Sequence, residues 1–352
     1  MDLLGYVRTA ARPSWTGGLL DAETRAKAAM VPGFAFFKCD AGYSEESQPD
    51  HLGENRWTEE QLYEARGGYM LFRYEDLIQT LYAAATGDPP TSASPSRGTV
   101  SIRFGAEVVD VDVTSDACAV TLLSGEIHRA NAIIGADGTK GVVRRTLLEV
   151  EGGADVPMGI AVYCSILPKS LVFENGLEWF YEDLGSSIWM GANRGAWIFP
   201  VGGTSDLALW VFTQDDMHDG TWTEADSTMR LVDILGQCDT RLHRLAALAG
   251  PPTCIQITNP HRLESWVSKS GRVLALGDAA HPTVPGGIHT FSIALEDAAF
   301  IGRIFWHTHN KERVPEFLHA FQEHRRVSNN QSTFDELTQT CQGSAMLSHP
   351  RK

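Results

Sequence analysis

The sequence contains few positive charges for its length. Lys and Arg together number 29 against 44 Asp and Glu, which gives the 352 residues a formal net charge of −15. Nucleic acids and anionic membrane surfaces attract basic proteins. The charge balance therefore predicts that neither is the main partner of this protein.

Metal-binding cysteine pairs and long apolar runs are also missing. The six cysteines include no C-x-x-C pair, so they form neither a zinc-binding pattern nor a disulfide framework, and no metal site is predicted. No apolar run approaches the roughly 20 residues of a membrane-spanning helix. The first residues carry no signal-peptide pattern. Together these absences favour a cytoplasmic protein with reduced thiols and no membrane span.

The length is that of about two domains. Residues 1–30 are predicted to be mostly helical, and residues 31–68 to be rich in loops. Residues 155–215 contain several segments of β-forming residues and are predicted to form a mainly antiparallel sheet. Helical spacing of apolar residues predicts further helices over 75–85, 224–249, 288–306 and 314–326.

Two junctions between a strand and a loop place an aspartate after an apolar strand. The first is AIIGADGTKGVVRR at residues 132–145, and the second is VLALGDAAHP at residues 273–282. Glycines beside Asp137 and Asp278 allow a ligand to approach the backbone. Because ligands of open α/β sheets bind at the carboxyl ends of the strands, both junctions are predicted to line a binding site.

The two junctions in this order, with a β-rich segment between them, resemble the flavoprotein monooxygenases of the aromatic-hydroxylase type. The resemblance is closest to the salicylate-hydroxylase-like branch, and it covers residues 60–330. Supporting pieces are Trp189–Gly191, Ile198–Val201, Ser265–Trp266 and His324–Arg326.

The resemblance implies an α/β (α+β) fold with two parts. One is an incomplete FAD/NAD(P)-binding three-layer domain that lacks the first βαβ unit, expected at 1–150 and 255–330. The other is a mainly antiparallel β-sheet substrate domain at 151–254, followed by a C-terminal tail at 331–352. In the family the first junction serves both the flavin and the nicotinamide cofactor, and the aspartate of the second holds the ribityl chain of FAD. The implied cofactor contacts are Asp137, Gly138, Gly277, Asp278, Pro285, Gly286, Gly287 and Thr290.

Several features depart from the family pattern. The family begins with a G-x-G-x-x-G that binds the FAD pyrophosphate at a helix N-terminus, and this sequence contains none. His289 and Thr290 stand at the family's Gln-Gly step beside the flavin, and Gly141 stands at a family serine. Arg73 and Tyr74 stand at the family's His-Arg, although a shift of one residue would restore the arginine.

Three hypotheses about function follow. The first is an ordinary FAD- and NAD(P)H-dependent hydroxylase or epoxidase whose sequence comes from a truncated gene model, which explains only the missing first unit. The second, favoured by the other substitutions, is an enzyme that needs no cofactor and catalyses a cyclisation, isomerisation, dehydration or pericyclic step in the vacated pocket. The third is a non-catalytic binding protein. All three imply a small apolar or aromatic metabolite as partner.

Candidate site residues follow from the second hypothesis. Asp278 and His289 are predicted to exchange protons as an acid/base pair, because burial can shift an aspartate towards neutral pH, where histidine titrates. The alternatives are a helix cap for Asp278 and a structural role for His289, and His281 is expected to be structural. The predicted pocket, with core packing as the alternative for each aromatic residue, consists of Arg73, Tyr74, Tyr163, Trp189, Phe199 and Trp210.

Overall fold

The computed structural model describes thirteen segments of the chain: residues 4–8, 25–40, 49–64, 68–86, 100–113, 118–148, 156–182, 185–214, 222–224, 231–259, 261–283, 290–306 and 310–326. Their strands are β1 (Leu4–Arg8), β2 (Ala29–Val31), β3 (Gly33–Lys38), β4 (His51–Arg56), β5 (Tyr69–Arg73), β6 (Val108–Asp112), β7 (Cys118–Leu122), β8 (Ile127–Ala130), β9 (Ile133–Gly135), β10 (Val156–Pro168), β11 (Ser187–Gly191), β12 (Arg194–Val201), β13 (Asp206–Gln214), β14 (Trp222–Glu224), β15 (Thr253–Asn259) and β16 (Val273–Ala275). Their α-helices are α1 (Glu59–Glu64), α2 (Tyr74–Thr86), α3 (Val142–Leu148), α4 (Lys169–Glu174), α5 (Leu231–Leu235), α6 (Thr240–Leu248), α7 (Thr290–Trp306) and α8 (314–326).

The largest sheet has eight strands in the order β14-β15-β10-β13-β12-β11-β3-β4. The predicted mainly antiparallel sheet is confirmed, because the pairs β10–β13, β12–β13, β11–β12, β3–β4 and β14–β15 are all antiparallel and β3–β11 is parallel. The central strands β12 and β13 are buried along most of their length. Their sequences are therefore continuous apolar runs rather than alternations of apolar and polar residues.

One face of this sheet packs against helices α4, α5 and α6. The contact forms a continuous apolar core in which leucines of α5 and α6 meet alternate residues of the strands. Leu242 and Leu245 of α6 are fully buried there. Replacing such a leucine by alanine costs about 2–5 kcal/mol, so this core is a main contributor to the stability of the sheet.

The first 68 residues differ from the prediction. Residues 4–8 form strand β1 instead of part of a helix, and residues 33–38 and 51–56 form strands β3 and β4 instead of loops. Strand β1 pairs with β5, and β3 pairs with β11, more than 140 residues away in sequence. Strand formation depends on such neighbours, which local periodicity does not reveal.

The described residues divide into two compact units. The first takes its residues from 1–99 and 157–258, and the second takes its residues from 100–156 and 259–339. The predicted division had instead grouped 1–150 with 255–330. The difference arises because β3 and β4 extend the eight-stranded sheet and bring the beginning of the chain into that unit. The predicted tail at 331–352 lies outside the described residues.

The second unit is built around the parallel pair β9–β16 and the three-stranded sheet β6-β7-β8. Its core joins the buried residues of β16 to apolar side chains of α3, α7 and α8, among them Val143, Ile301, Leu318 and Phe321. Within the segments listed above, no helix combines the length and apolarity needed to cross a membrane.

Candidate functional site

The two predicted junctions lie side by side in the second unit. Strands β9 and β16 pair in parallel, with Ile133 opposite Val273 and Gly135 opposite Ala275. The Leu276 N–H donates to the Gly135 carbonyl at 2.9 Å, directly after the strands end. Because the strands are parallel, both loops leave the same edge of the sheet, which is the edge where ligands of α/β folds bind.

The first loop uses its aspartate to cap helix α3. The Val143 N–H donates to Asp137 Oδ2 at 2.8 Å, which satisfies one of the free backbone donors of the helix. A Cβ at Gly141 would lie 2.1 Å from the Asp137 carboxylate. Glycine in place of the family's serine therefore leaves the room that this cap needs. Gly138 has φ +78°, and a Cβ there would face open space.

Arg144 joins the first loop to the second. Its side chain is buried, and its guanidinium donates to the Ala279 carbonyl at 2.9 Å and to the His261 carbonyl. Hydrogen bonds to a charged donor are stronger than neutral ones. The Arg-Arg pair noted in the sequence thus contributes one arginine that holds the second loop in place.

The second loop turns sharply at Gly277. This residue has φ +59°, in the left-handed region that favours glycine, and it begins the 3₁₀ turn Gly277–Ala279. Gly277 and Ala279 are buried, whereas the Asp278 side chain between them is exposed. The turn therefore directs a single carboxylate away from the core.

Asp278 combines solvent exposure with dense protein surroundings. Desolvation by these surroundings raises the pKa of its carboxyl, and the charge of His281 and hydrogen bonds from Thr283 oppose that rise. The Thr283 hydroxyl donates to Asp278 Oδ1 at 3.3 Å. Because the carboxylate is exposed, it can accept hydrogen bonds from a ligand.

A buried aspartate supports the second loop from behind. Asp297 of α7 has no exposed surface, and its carboxylate accepts from the Gly277 N–H at 3.3 Å, from His281 Nε2, and from Arg325 Nε at 2.6 Å. Arg325, on α8, also donates to Glu296 Oε2 at 3.2 Å. A buried carboxylate is tolerated because it is paired in this way.

The sequence indicated this network only indirectly. Arg325 belongs to the His324–Arg326 piece that supported the family resemblance, but neither Asp297 nor Arg325 was predicted as a site residue. They are separated from Gly277 by 20 and 48 positions, so no local spacing connects them. The expected structural role of His281 agrees with its contact to Asp297.

The remaining predicted residues of the second loop are not part of the described chain. Pro285, Gly286, Gly287 and His289 lie outside the described residues, and Thr290 is placed only as the first residue of α7. The Asp278–His289 acid/base pair is therefore a prediction without a geometry. The same applies to the glycines that the resemblance places beside the flavin.

The structure places the predicted aromatic pocket residues on two faces of the eight-stranded sheet. Tyr163 and Trp189 belong to the core under α5 and α6, where Trp189 has no exposed surface and stacks on Phe37 with ring centroids 4.9 Å apart. Phe199 and Trp210 lie on the opposite face, with centroids 5.8 Å apart. Only Phe199 and Trp210 can therefore share one pocket wall, and Trp189 fits the core-packing alternative.

Arg73, at the end of β5, forms an ion pair with Asp206. The Ser205 hydroxyl also donates to Asp206 Oδ2, at 2.6 Å. Asp206 was not predicted, and it pairs with the positive charge of the predicted pocket residue Arg73. Tyr74 begins α2 next to Arg73 and is exposed.

Among the residues that the structure describes, no group of three or more His, Cys, Asp and Glu side chains could hold a metal ion. At the junction edge the Asp278 carboxylate is exposed, whereas Gly277 is buried and its N–H and carbonyl are already hydrogen-bonded within the fold.

Comparison with known proteins finds an FAD-binding family. Residues 91–333 match the family model described as FAD binding domain. The FAD-dependent monooxygenase OpS4 of Beauveria bassiana is 29% identical over 232 residues, which are 65% of this chain and 53% of that protein. The chain therefore spans about half the length of the curated relatives it matches.

Solved structures show the same fold. CtdE in complex with FAD and substrate 4 is 15% identical, with a TM-score of 0.74 over 96% of this chain and 79% of its own. A salicylate hydroxylase substrate complex is 19% identical, with a TM-score of 0.68 over 92% of this chain and 76% of the salicylate hydroxylase chain. These similarities confirm the predicted mixed α/β fold and the resemblance to salicylate-hydroxylase-like flavoproteins.

The expectation that the protein needs no cofactor is wrong. The family model is that of an FAD-binding domain, and related structures of this fold were solved with FAD. Asp278 fits the cofactor, because it presents an exposed carboxylate at the carboxyl ends of the parallel strands. The departures at Gly141 and Thr290 had suggested otherwise, but Gly141 is explained by the Asp137 cap. The chain belongs to the FAD-binding-domain family of flavoprotein monooxygenases.

Proposed function

We propose that the protein acts as an FAD- and NAD(P)H-dependent monooxygenase that hydroxylates or epoxidises a small aromatic or polycyclic metabolite. The observation that carries the proposal is the Gly277–Asp278 turn, with an exposed carboxylate at the edge of the β9–β16 pair. The matching FAD-binding domain and the flavin-dependent relatives support it.

The residues of this chain have three tasks in such an enzyme. The Asp278 carboxylate accepts hydrogen bonds from hydroxyl groups of the cofactor's ribityl chain, and Gly277, with φ +59°, makes the turn that exposes this carboxylate. Asp297, Arg325 and Arg144 hold the turn rigid, so that binding does not have to order it. When bound, FAD supplies the redox chemistry that amino-acid side chains lack.

The proposed substrate class follows the relatives by analogy. A salicylate hydroxylase and CtdE share the fold and have been solved with substrates bound. In the first unit, Trp197, Phe199 and Trp210 form a connected aromatic cluster on the sheet face opposite α5 and α6. We propose this cluster as the support of an apolar substrate wall.

Reconstitution of the purified 352-residue chain with FAD tests the proposal. Removal of excess FAD by gel filtration should leave a flavin absorbance between 350 and 500 nm, and NADH or NADPH oxidation should increase with an aromatic substrate. Asp278→Asn should weaken FAD binding at least about tenfold, because a charged hydrogen-bond acceptor contributes roughly 1.5–3 kcal/mol.

Asp110→Asn is the matched control, since Asp110 is an exposed aspartate of the same unit. Its affinity for FAD should equal that of the parent. A folded chain that retains no flavin at any FAD concentration would contradict the proposed function. Equal affinities of the parent and Asp278→Asn would contradict the role of Asp278.

A further inference from the structure

Two cysteines meet in the first unit, in a cluster that the flavin site does not use. Cys39 directly follows β3, and Cys238 lies just before α6. The Asp239 N–H donates to the Cys39 carbonyl at 2.9 Å, so the two segments are held together at the backbone. The two thiols lie close enough to interact, and the Cys238 thiol also donates to the Asp239 carbonyl at 3.6 Å. Both are buried in the core and in the reduced form.

A guanidinium lies next to this pair of thiols. Arg194 of β12 donates to Asp40 Oδ1 at 2.6 Å and to the Gln237 carbonyl at 2.5 Å, and it also contacts the Cys39 thiol. The Arg194 side chain is 25% exposed. It therefore links the buried sulfur of Cys39 to the protein surface.

We propose that Cys39 and Cys238 form a redox-active dithiol that closes to an intramolecular disulfide when the protein meets hydrogen peroxide. The inference is independent of the proposed monooxygenase activity. It stands on the contact between the two thiols and on the arginine beside one of them, since a neighbouring cation favours the reactive thiolate.

The chemistry balances with peroxide as the oxidant. The Cys39 thiolate attacks one peroxide oxygen, the O–O bond breaks, and the leaving hydroxide takes a proton to become water. The Cys238 sulfur then attacks the resulting sulfenic acid, so that an S–S bond forms, the S–O bond breaks, and a second water leaves with the proton of Cys238. Two thiols lose two electrons in total, and one peroxide gains them.

Electrostatics favour Cys39 as the attacking thiol. The hydrogen bond from Cys238 lowers the pKa of Cys39 and contact with Arg194 lowers it further, while burial and Asp40 act in the opposite direction. The pKa of Cys238 is raised, first by its hydrogen bond to Cys39 and then by burial. Cys238 is thus the resolving thiol, which enters the reaction second.

The chain contains a second cysteine pair that serves as an internal control. Cys164 of β10 and Cys254 of β15 lie on adjacent strands and interact. Burial and then the proximity of Cys254 raise the pKa of Cys164 well above its ordinary value, and no cation contributes to that shift. This pair should therefore react much more slowly, although it too consists of neighbouring thiols.

The test is peroxide oxidation of the reduced full-length chain without denaturant, followed by thiol blocking and non-reducing peptide mass spectrometry. The Cys39–Cys238 peptide should form at least about tenfold faster than any oxidised product of Cys164 or Cys254. Cys238→Ser should instead leave a dimedone-reactive sulfenic acid at Cys39. Arg194→Met should slow the reaction about tenfold, and Arg194→Lys should restore part of the rate.

Three outcomes would overturn the proposal. Oxidation of Cys164 and Cys254 before Cys39 and Cys238 would remove the assigned difference in reactivity. Linkage at an unchanged rate in folded Arg194→Met would remove the role of the cation. Absence of dimedone labelling at Cys39 in Cys238→Ser would show that Cys39 is not the attacking thiol. Cys238→Ser keeps the Arg194–Asp40 ion pair, so this test still applies if the arginine variants do not fold.

Discussion

The two aspartate loops at the edge of the β9–β16 pair show how one sequence pattern leads to two roles. The Asp137 carboxylate accepts the Val143 N–H at 2.8 Å, although its side chain is exposed. Asp278 is exposed as well, and a different residue, Asp297, receives the backbone N–H of its loop. The first aspartate is thus used by the fold, whereas the second remains available to a ligand.

The distance to the next helix accounts for this difference. Helix α3 begins five residues after Asp137, so its free N–H groups lie within reach of that side chain. Helix α7 begins twelve residues after Asp278, and a 3₁₀ turn intervenes. An aspartate after a strand is therefore a candidate ligand contact only when no helix start close behind it can be capped.

The largest expected effect comes from removing the internal support of the second loop. Asp297→Ala leaves Arg325 buried without its main partner and frees the Gly277 N–H. Breaking a buried pair in this way costs about 3–5 kcal/mol. Urea unfolding followed by circular dichroism should show a corresponding loss in the free energy of unfolding.

The double variant Asp297→Asn with Arg325→Gln supplies the control for this pair. Because both charges are then removed together, the loss should be smaller than the sum of the two single losses. Additive losses would mean that Asp297 and Arg325 do not act as a pair. A small effect of Asp297→Ala would show that the second loop does not depend on Asp297 for its stability.

A smaller effect is expected from removing the cap in the first loop. Asp137→Ala and Gly141→Ala should each destabilise the protein by about 1 kcal/mol, the usual worth of an N-cap. Combining them should add little, since both act on the same hydrogen bond. Thermal unfolding of the two single variants and the double variant measures this, with Asp137→Asn as a control that retains the acceptor. Unchanged stability of Asp137→Ala would show that Asp137 does not stabilise helix α3 as a cap, and the difference from Asp278 would then disappear.

The smallest effect on stability is expected at Asp278 itself. Asp278→Asn should change the free energy of unfolding by no more than about 0.5 kcal/mol, as for other exposed positions. The pKa of Asp278 is raised by desolvation, so the folded state binds this proton more readily than the unfolded state. The parent should therefore lose stability relative to Asp278→Asn as the pH rises from below about 4, the ordinary aspartate value.

Melting temperatures of both proteins between pH 3 and pH 7 check the sign of this dependence. A parent that instead gains stability over Asp278→Asn with rising pH would show that its carboxylate is paired inside the fold. The two loops would then be alike.

The sequence predicted the elements with strong local patterns. Residues 75–85 are helical, as expected from their apolar spacing, within α2. The hairpin around Ser124 and Gly125 forms β7 and β8, because its turn residues separate two β-forming segments. The predicted helix over 224–249 is instead the short strand β14 followed by α5 and α6, with a break at Gly236, whose φ is +56°.

The sequence by itself determined the family, the mainly antiparallel sheet and the two aspartate junctions, because each of these depends on residues close together along the chain. Only the tertiary structure decided that β3 joins the large sheet and that Asp297, Arg325 and His281 meet behind Gly277. The same is true of the contact between Cys39 and Cys238. These contacts join residues separated by 16 to about 200 positions, and such partners are selected by packing of the whole chain rather than by local preference.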